Sequence, residues 1–185
     1  MIVFVTHLDA LVERVLIPLH STLGIYFFSA ISILASTPVV FGIALTAFVF
    51  FVHNRQFDVA WLLFISTGFS EILVNQLKLA VERTRPEFAA TLGITTYSFP
   101  SGHAAFAIAL WGILAFALAR SYTHKSSRVM VYISATFLIL LIGFSRIYLD
   151  VHYLSDVLAG YIVGALGISC GFYSWELMSR KPRKK

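Results

Sequence analysis

Long apolar stretches dominate the chain, and polar positions fall mostly in the short segments between them. Four stretches, about 57–79, 103–121, 128–147 and 155–177, match the roughly 20 helical residues that cross a hydrocarbon core. A fifth, 36–52 (STPVVFGIALTAFVFFV), is at the short end of that range. The segment 15–35 is also apolar but contains Pro18, His20 and Gly24, which leaves it open between a sixth span and a helix lying in the interface. Residues 1–14 carry neither the basic start nor the cleavage site of a signal peptide. The pattern predicts an all-α, multi-pass transmembrane bundle of five to six spans. Residues 1–35 form its N-terminal interfacial segment or additional span, 36–177 its core and 178–185 a basic tail.

Composition agrees with that pattern. Of 185 residues, 58% are hydrophobic and 12% charged, against about a quarter charged in a soluble domain. Cys170 is the single cysteine, so an internal disulfide and a multi-cysteine zinc site are both excluded. The net charge of +5 would suit nucleic acid, but the placement of the charge points to a membrane surface instead. Arg55, then Arg120, Lys125 and Arg128, then Arg180, Lys181, Arg183, Lys184 and Lys185 alternate onto one membrane side. They are nine of the fourteen basic residues, so that side is expected to be cytoplasmic, with the C-terminus on it. No nucleic-acid partner is expected.

The opposite side keeps five basic residues, Arg14, Lys78, Arg83, Arg85 and Arg146, and three of these, Lys78, Arg85 and Arg146, are the defining cations of short polar motifs. One motif runs from Lys78 to Arg85-Pro86. A second is Pro100-Ser101-Gly102-His103. The third comprises Ser145-Arg146, His152 and Asp156. Each has two readings. His152 and Asp156, four apart, would share a helical face, so that Asp156 accepts the Nδ1 proton and leaves Nε2 as a nucleophile toward phosphorus; alternatively Asp156 stabilises a helix N-terminus. Ser101 and Gly102 open a helix whose N–H groups can hold phosphate oxygens, with His103 as general acid and base, or they form an ordinary capping turn. Lys78 and Arg85, two helical turns apart, can surround a phosphoryl group with Arg146, or they snorkel to headgroups. Arg83 reads as a snorkelling residue. Two imidazoles and a carboxylate could ligate zinc or iron, but three neighbouring cations would repel a dication. No metal and no cofactor is therefore expected.

Other polar or small positions carry weaker signals. Glu71, Asn75 and Gln76 lie in the span that ends at Lys78, where Glu71 could support the cations or pair with another helix. Gly160, Gly164, Gly167 and Gly171 read as a close-packing face.

Taken together, Lys78-x6-Arg85-Pro86, Pro100-Ser101-Gly102-His103 and Ser145-Arg146-x5-His152-x3-Asp156 resemble the pattern of the type 2 phosphatidic acid phosphatase superfamily, and the resemblance covers about 36–177. It implies an α-helical membrane core with the site near the extracytoplasmic surface. It also implies His152 as nucleophile, Asp156 as its partner and His103 as acid then base. Lys78, Arg85, Ser101, Gly102 and Arg146 would form the phosphate cradle, and no magnesium would be needed. The ambiguous 15–35 departs from the clear first span of many members.

The expected activity is hydrolysis of a membrane lipid phosphate or pyrophosphate in the plasma or inner membrane. Candidate substrates are undecaprenyl pyrophosphate and phosphatidylglycerol phosphate. A lipid phosphotransferase using the same phosphoenzyme, or a non-enzymatic lipid-handling protein, would share the same spans. Oligomeric state is not encoded in these motifs.

Overall fold

The computed structural model describes residues 2–91 and 93–179, with the side chains of 2–5 and 90–91 left aside. The five basic residues of the 180–185 tail lie outside the described residues. The chain runs α1 (Ile2–Leu16), a 3-10 turn at Ile17–Leu19, α2 (Thr22–Ile33), α3 (Thr37–His53), α4 (Phe57–Val81) and α5 (Glu87–Thr91). It continues through α6 (Gly102–Phe106), a π turn at Ala107–Trp111, α7 (Gly112–Arg120), α8 (Lys125–Tyr148) and α9 (Leu154–Ser179).

Among the described residues, five units are long and apolar enough to cross a membrane: Thr22–His53, Phe57–Val81, Gly102–Arg120, Lys125–Tyr148 and Leu154–Ser179. Their outward faces carry Phe41, Phe137 and Ile162, all more than 60% exposed. That arrangement suits lipid rather than water as the solvent.

The ambiguous segment becomes part of the first unit, which is not one rod. Pro38 lies in the first turn of α3 and has no N–H to continue the ladder from α2. The Ser36 hydroxyl donates to the Ile33 carbonyl at 2.8 Å, a local alternative to helix. The Leu34 carbonyl, freed by the break at 34–36, accepts the Trp111 indole N–H at 3.3 Å.

Packing centres on Leu62, Leu63, Leu110, Ile113 and Ile142, all buried. The glycines of α9 set its approach to its neighbours, as the spacing predicts. A Cβ at Gly160 would collide with the Ser101 carbonyl and lie 2.8 Å from the Ala104 Cβ; one at Gly167 would collide with the Ser70 hydroxyl. Small residues here let backbones meet where a side chain would hold them apart.

The ends of the bundle differ. At one, Asp58 pairs with Arg120, and the Trp61 indole donates to the Ser174 hydroxyl at 2.9 Å. At the other, the connections 82–101 and 149–153 fold together over the starts of α6 and α9, with α1 lying against them.

Candidate active site

The site is built from three chain segments that share hydrogen bonds. Helix α4 stops at Val81 because Glu82 is left-handed, with φ of 50°, and its N–H closes on the Lys78 carbonyl. Arg85 therefore lies beyond the helix, not on the same face as Lys78, and Pro86 is not what ends α4. The extended segment redirects Arg85 inward. Its Nε donates to the Thr96 carbonyl at 2.6 Å, Nη2 to the Thr96 hydroxyl at 3.0 Å and the Tyr97 carbonyl at 3.3 Å, and Nη1 to the Val151 carbonyl at 2.7 Å. Lys78 also donates to the Tyr97 carbonyl. The two cations thus hold loop 94–101 against the bundle.

The remaining Arg85 N–H meets Nε2 of His152 at 3.1 Å. An arginine only donates, so Nε2 carries the lone pair and Nδ1 the proton. Nδ1 lies 3.5 Å from Oδ2 of Asp156, longer than a normal hydrogen bond, and it has no other partner among the described residues. His152 stands before α9, not on it, so helical spacing is not what aligns the pair. Alignment comes instead from the N-terminal turn. Asp156 is the third helical residue and accepts the Tyr153 backbone N–H at 3.0 Å on Oδ2, half of a capping box. Burial pushes the His152 imidazole down to about 3, and the charges of Arg85 and Arg146 add to this against the opposing pull of Asp156. The ring is neutral across the physiological range.

Ser101 caps α6 by accepting the Ala104 N–H at 3.4 Å, and its own N–H donates to the Asp156 carbonyl at 2.9 Å. The second motif is thereby tied directly to the third. A Cβ at Gly102 would make ordinary contacts with Val74 and Phe106, at 3.6 and 3.8 Å, so helix packing does not demand glycine there. His103 is within electrostatic reach of Arg146, His152, Arg85 and Lys78. Arg146 is buried on α8, donates to the Ser32 hydroxyl of α2 and keeps Nε without a protein partner. All eight residues singled out in the sequence therefore gather at one end of the bundle. Among the described residues, no group of three or more metal-ligating side chains gathers. Glu71 accepts from Asn75 on its own helix at 2.7 Å and faces a groove toward α3, away from the cations.

Sequence reasoning passed over two residues. Arg83 does not snorkel. Its Nη1 donates to Oδ1 of Asp156 and to the Ser155 hydroxyl, each at 2.7 Å, and its guanidinium lies 4.1 Å above the Tyr153 ring. Its Nη2 donates to Asp9 of α1 at 2.8 Å. Burial works against the Arg83 charge, but the hydrogen bond it donates to Asp9 and the field of both carboxylates hold its pKa above the ordinary arginine value. The available signal was Asp9 itself, an acidic residue between apolar neighbours Leu8 and Ala10 in a largely apolar helix.

Comparison with known proteins places this arrangement. Over 144 residues, covering 77% of this chain and 68% of the relative, the sequence is 34% identical to phosphatidylglycerophosphatase B of Bacillus subtilis (strain 168). It is also 34% identical over 114 residues to a lipid A 1-phosphatase of Rhizobium johnstonii, a match covering 58% of this chain and under half, 45%, of that protein. The crystal structure of a transmembrane PAP2 type phosphatidylglycerolphosphate phosphatase from Bacillus subtilis superposes with a TM-score of 0.77 at 27% identity, over 98% of this chain and 89% of that one. Residues 59–181 match the model of the PAP2 superfamily. The chain belongs to the PAP2 superfamily and is a membrane lipid phosphatase.

Proposed function

We propose that the protein removes the terminal phosphate of phosphatidylglycerol phosphate through a phosphohistidine on His152. The observation that carries the mechanism is the lone pair of Nε2 held toward the Arg85 guanidinium, with Asp156 behind Nδ1. Lys78, Arg85, Arg146 and the N–H groups that open α6 at Ser101 and Gly102 receive the phosphate oxygens. One Arg85 N–H passes from Nε2 to a phosphate oxygen, which frees the lone pair for attack. The Nε2–P bond forms as the P–O bond to the lipid breaks, and His103 gives its proton to the departing alkoxide. Asp156 stabilises the charge that develops on the ring. Water then attacks phosphorus, His103 takes its proton, the N–P bond breaks and inorganic phosphate leaves. No step needs a metal.

The substrate assignment draws on the Bacillus subtilis sequence relative and the Bacillus subtilis crystal structure, both of which are named for this lipid. Undecaprenyl pyrophosphate is the alternative within the same chemistry. The alternation of Lys and Arg along the sequence, with nine of fourteen on the side opposite the site motifs, supports an extracytoplasmic site and a cytoplasmic C-terminus. The phosphatase core comprises 36–177, with 1–35 as the N-terminal segment that leads into the first span and 178–185 as the tail.

Phosphate release from phosphatidylglycerol phosphate, undecaprenyl pyrophosphate, phosphatidic acid and lipid A, by purified protein with EDTA present, tests substrate and metal independence together. Turnover should be highest on the first and absent in His152→Ala. Retained turnover in that variant sinks the mechanism, and loss of wild-type activity in EDTA sinks the metal-free chemistry. Labelling of Arg55→Cys and Glu87→Cys variants in whole cells with a membrane-impermeant thiol reagent tests sidedness. Reagent outside whole cells should reach only position 87.

A further inference from the structure

Asp9 is the one buried residue among the described side chains of α1. A helix that docks on a bundle ordinarily buries an apolar face, whereas here a carboxylate is inserted. All its contacts lead to the reacting pair. Oδ1 accepts the Ser155 backbone N–H at 2.9 Å, and Oδ2 accepts the Ser155 hydroxyl at 2.6 Å and Arg83 Nη2 at 2.8 Å. Arg83 reaches across to Oδ1 of the fully buried Asp156. One guanidinium is therefore divided between two carboxylates, and the group of three keeps a net charge of −1.

That residual charge matters because the other neighbours of His152 are cations. Lys78, Arg85 and Arg146 all act on His152 or Asp156, together with His103, and Glu13 lies near Asp9. If Arg83 belonged to Asp156 alone, that ion pair would be neutral. Nothing negative would then offset the cations as positive charge grows on the imidazole. Charge-assisted bonds at 2.7 Å are strong enough for this sharing to set where the carboxylate points.

We propose that Asp9 is a positioning residue for phosphoryl transfer: by sharing Arg83 with Asp156, it keeps the Asp156 carboxylate available to the Nδ1 proton of His152. This rests on the phosphohistidine reading above. The mechanism names Asp156 as the partner of the nucleophile; the inference adds a residue 147 positions away in sequence that touches neither substrate nor nucleophile.

A double-mutant cycle in detergent, with kcat and KM measured separately, tests it. Asp9→Asn should lower kcat about tenfold and change KM less than about twofold, the size of coupling typical within one hydrogen-bond network. In an Arg83→Gln background there is no cation to share, so Asp9→Asn should change kcat less than about twofold. Asp9→Glu keeps the charge and should stay within about threefold of wild type. An equal loss in both backgrounds, no loss in the first, or Asp9→Glu falling to the level of Asp9→Asn overturns the proposal. A merely structural docking role predicts the equal loss. Should Arg83→Gln not fold, Asp9→Glu against Asp9→Asn decides alone. His152→Ala in parallel separates this outcome from failure of the mechanism, since only that failure leaves the alanine variant active.

Discussion

Nε2 of His152 faces the Arg85 guanidinium at 3.1 Å, so the proposed nucleophile and a cation of the proposed phosphate cradle are already in contact. Arg85 forms this contact while four further donor contacts bind it to Thr96, Tyr97 and Val151. Replacing the fork with a point charge, Arg85→Lys, keeps the cation but loses that anchoring. Turnover should fall by about 10²-fold or more, the range for removing one oriented donor from a developing charge. The decrease should appear in kcat as well as KM, in steady-state phosphate release. A change in KM alone would show that Arg85 only binds.

The depressed His152 value, about 3, makes a second prediction about pH. Between pH 3 and the ordinary histidine value near 6.5, the unfolded chain takes up a proton that the folded one refuses, so stability rises with pH. The stabilisation is complete above about 6.5 and falls as pH drops toward 3, by about 1.4 kcal/mol per unit from this group. Thermal unfolding in detergent from pH 4 to 7 should show that slope, and His152→Asn should flatten it. The acid limb of activity should lie above the His152 value, set by another group.

Two glycines in the same end of the bundle should respond differently. At Gly160 a Cβ meets the Ser101 carbonyl and the Ala104 Cβ, so Gly160→Ala forces α9 away from α6 and should cost about 1–3 kcal/mol. At Gly102 the added methyl makes only ordinary contacts with the protein, so Gly102→Ala should fold as well as wild type. Its methyl would lie beside the proposed phosphate cradle, and KM should rise with little change in melting temperature. Matching melting temperatures for the two variants would contradict this division.

At the far end, Arg120 and Asp58 form a half-exposed pair. Such pairs contribute about 0–1 kcal/mol. Arg120→Ala should therefore leave phosphate release within about twofold, since the pair lies a bundle length from His152. A large loss of activity would connect the two ends in a way the packing does not.

The spans were legible because lipid demands long apolar helices, and α4, α8 and α9 fall within a few residues of the stretches read from hydropathy. That the eight motif residues would gather at one end of the bundle was legible because the topology brings all three motifs to one membrane surface. Local geometry was not. His152 was expected on a helix with Asp156 and stands before it; Arg85 was expected on α4 and lies beyond a left-handed Glu82. Spacing reports which residues can share a face only if the helix continues, and a single left-handed residue ends it without changing the count. Arg83 and Asp9 were missed for a different reason. Their partners are 73 and 146 positions away, and such long-range polar contacts leave no periodic trace in sequence.

The side-chain-free face of α9 has a consequence at its N-terminal tip. Gly160, Gly164, Gly167 and Gly171 seat the helix against Ser101, Ala105, Ser70 and Ser66, and only one vertical setting lets all four seats be filled. Sliding the helix by one turn would lift Asp156 by about 5.4 Å, farther than the whole gap that now separates it from His152. The reach of the carboxylate is thus gauged by notches lower in the same rod, in places where no side chain exists at all.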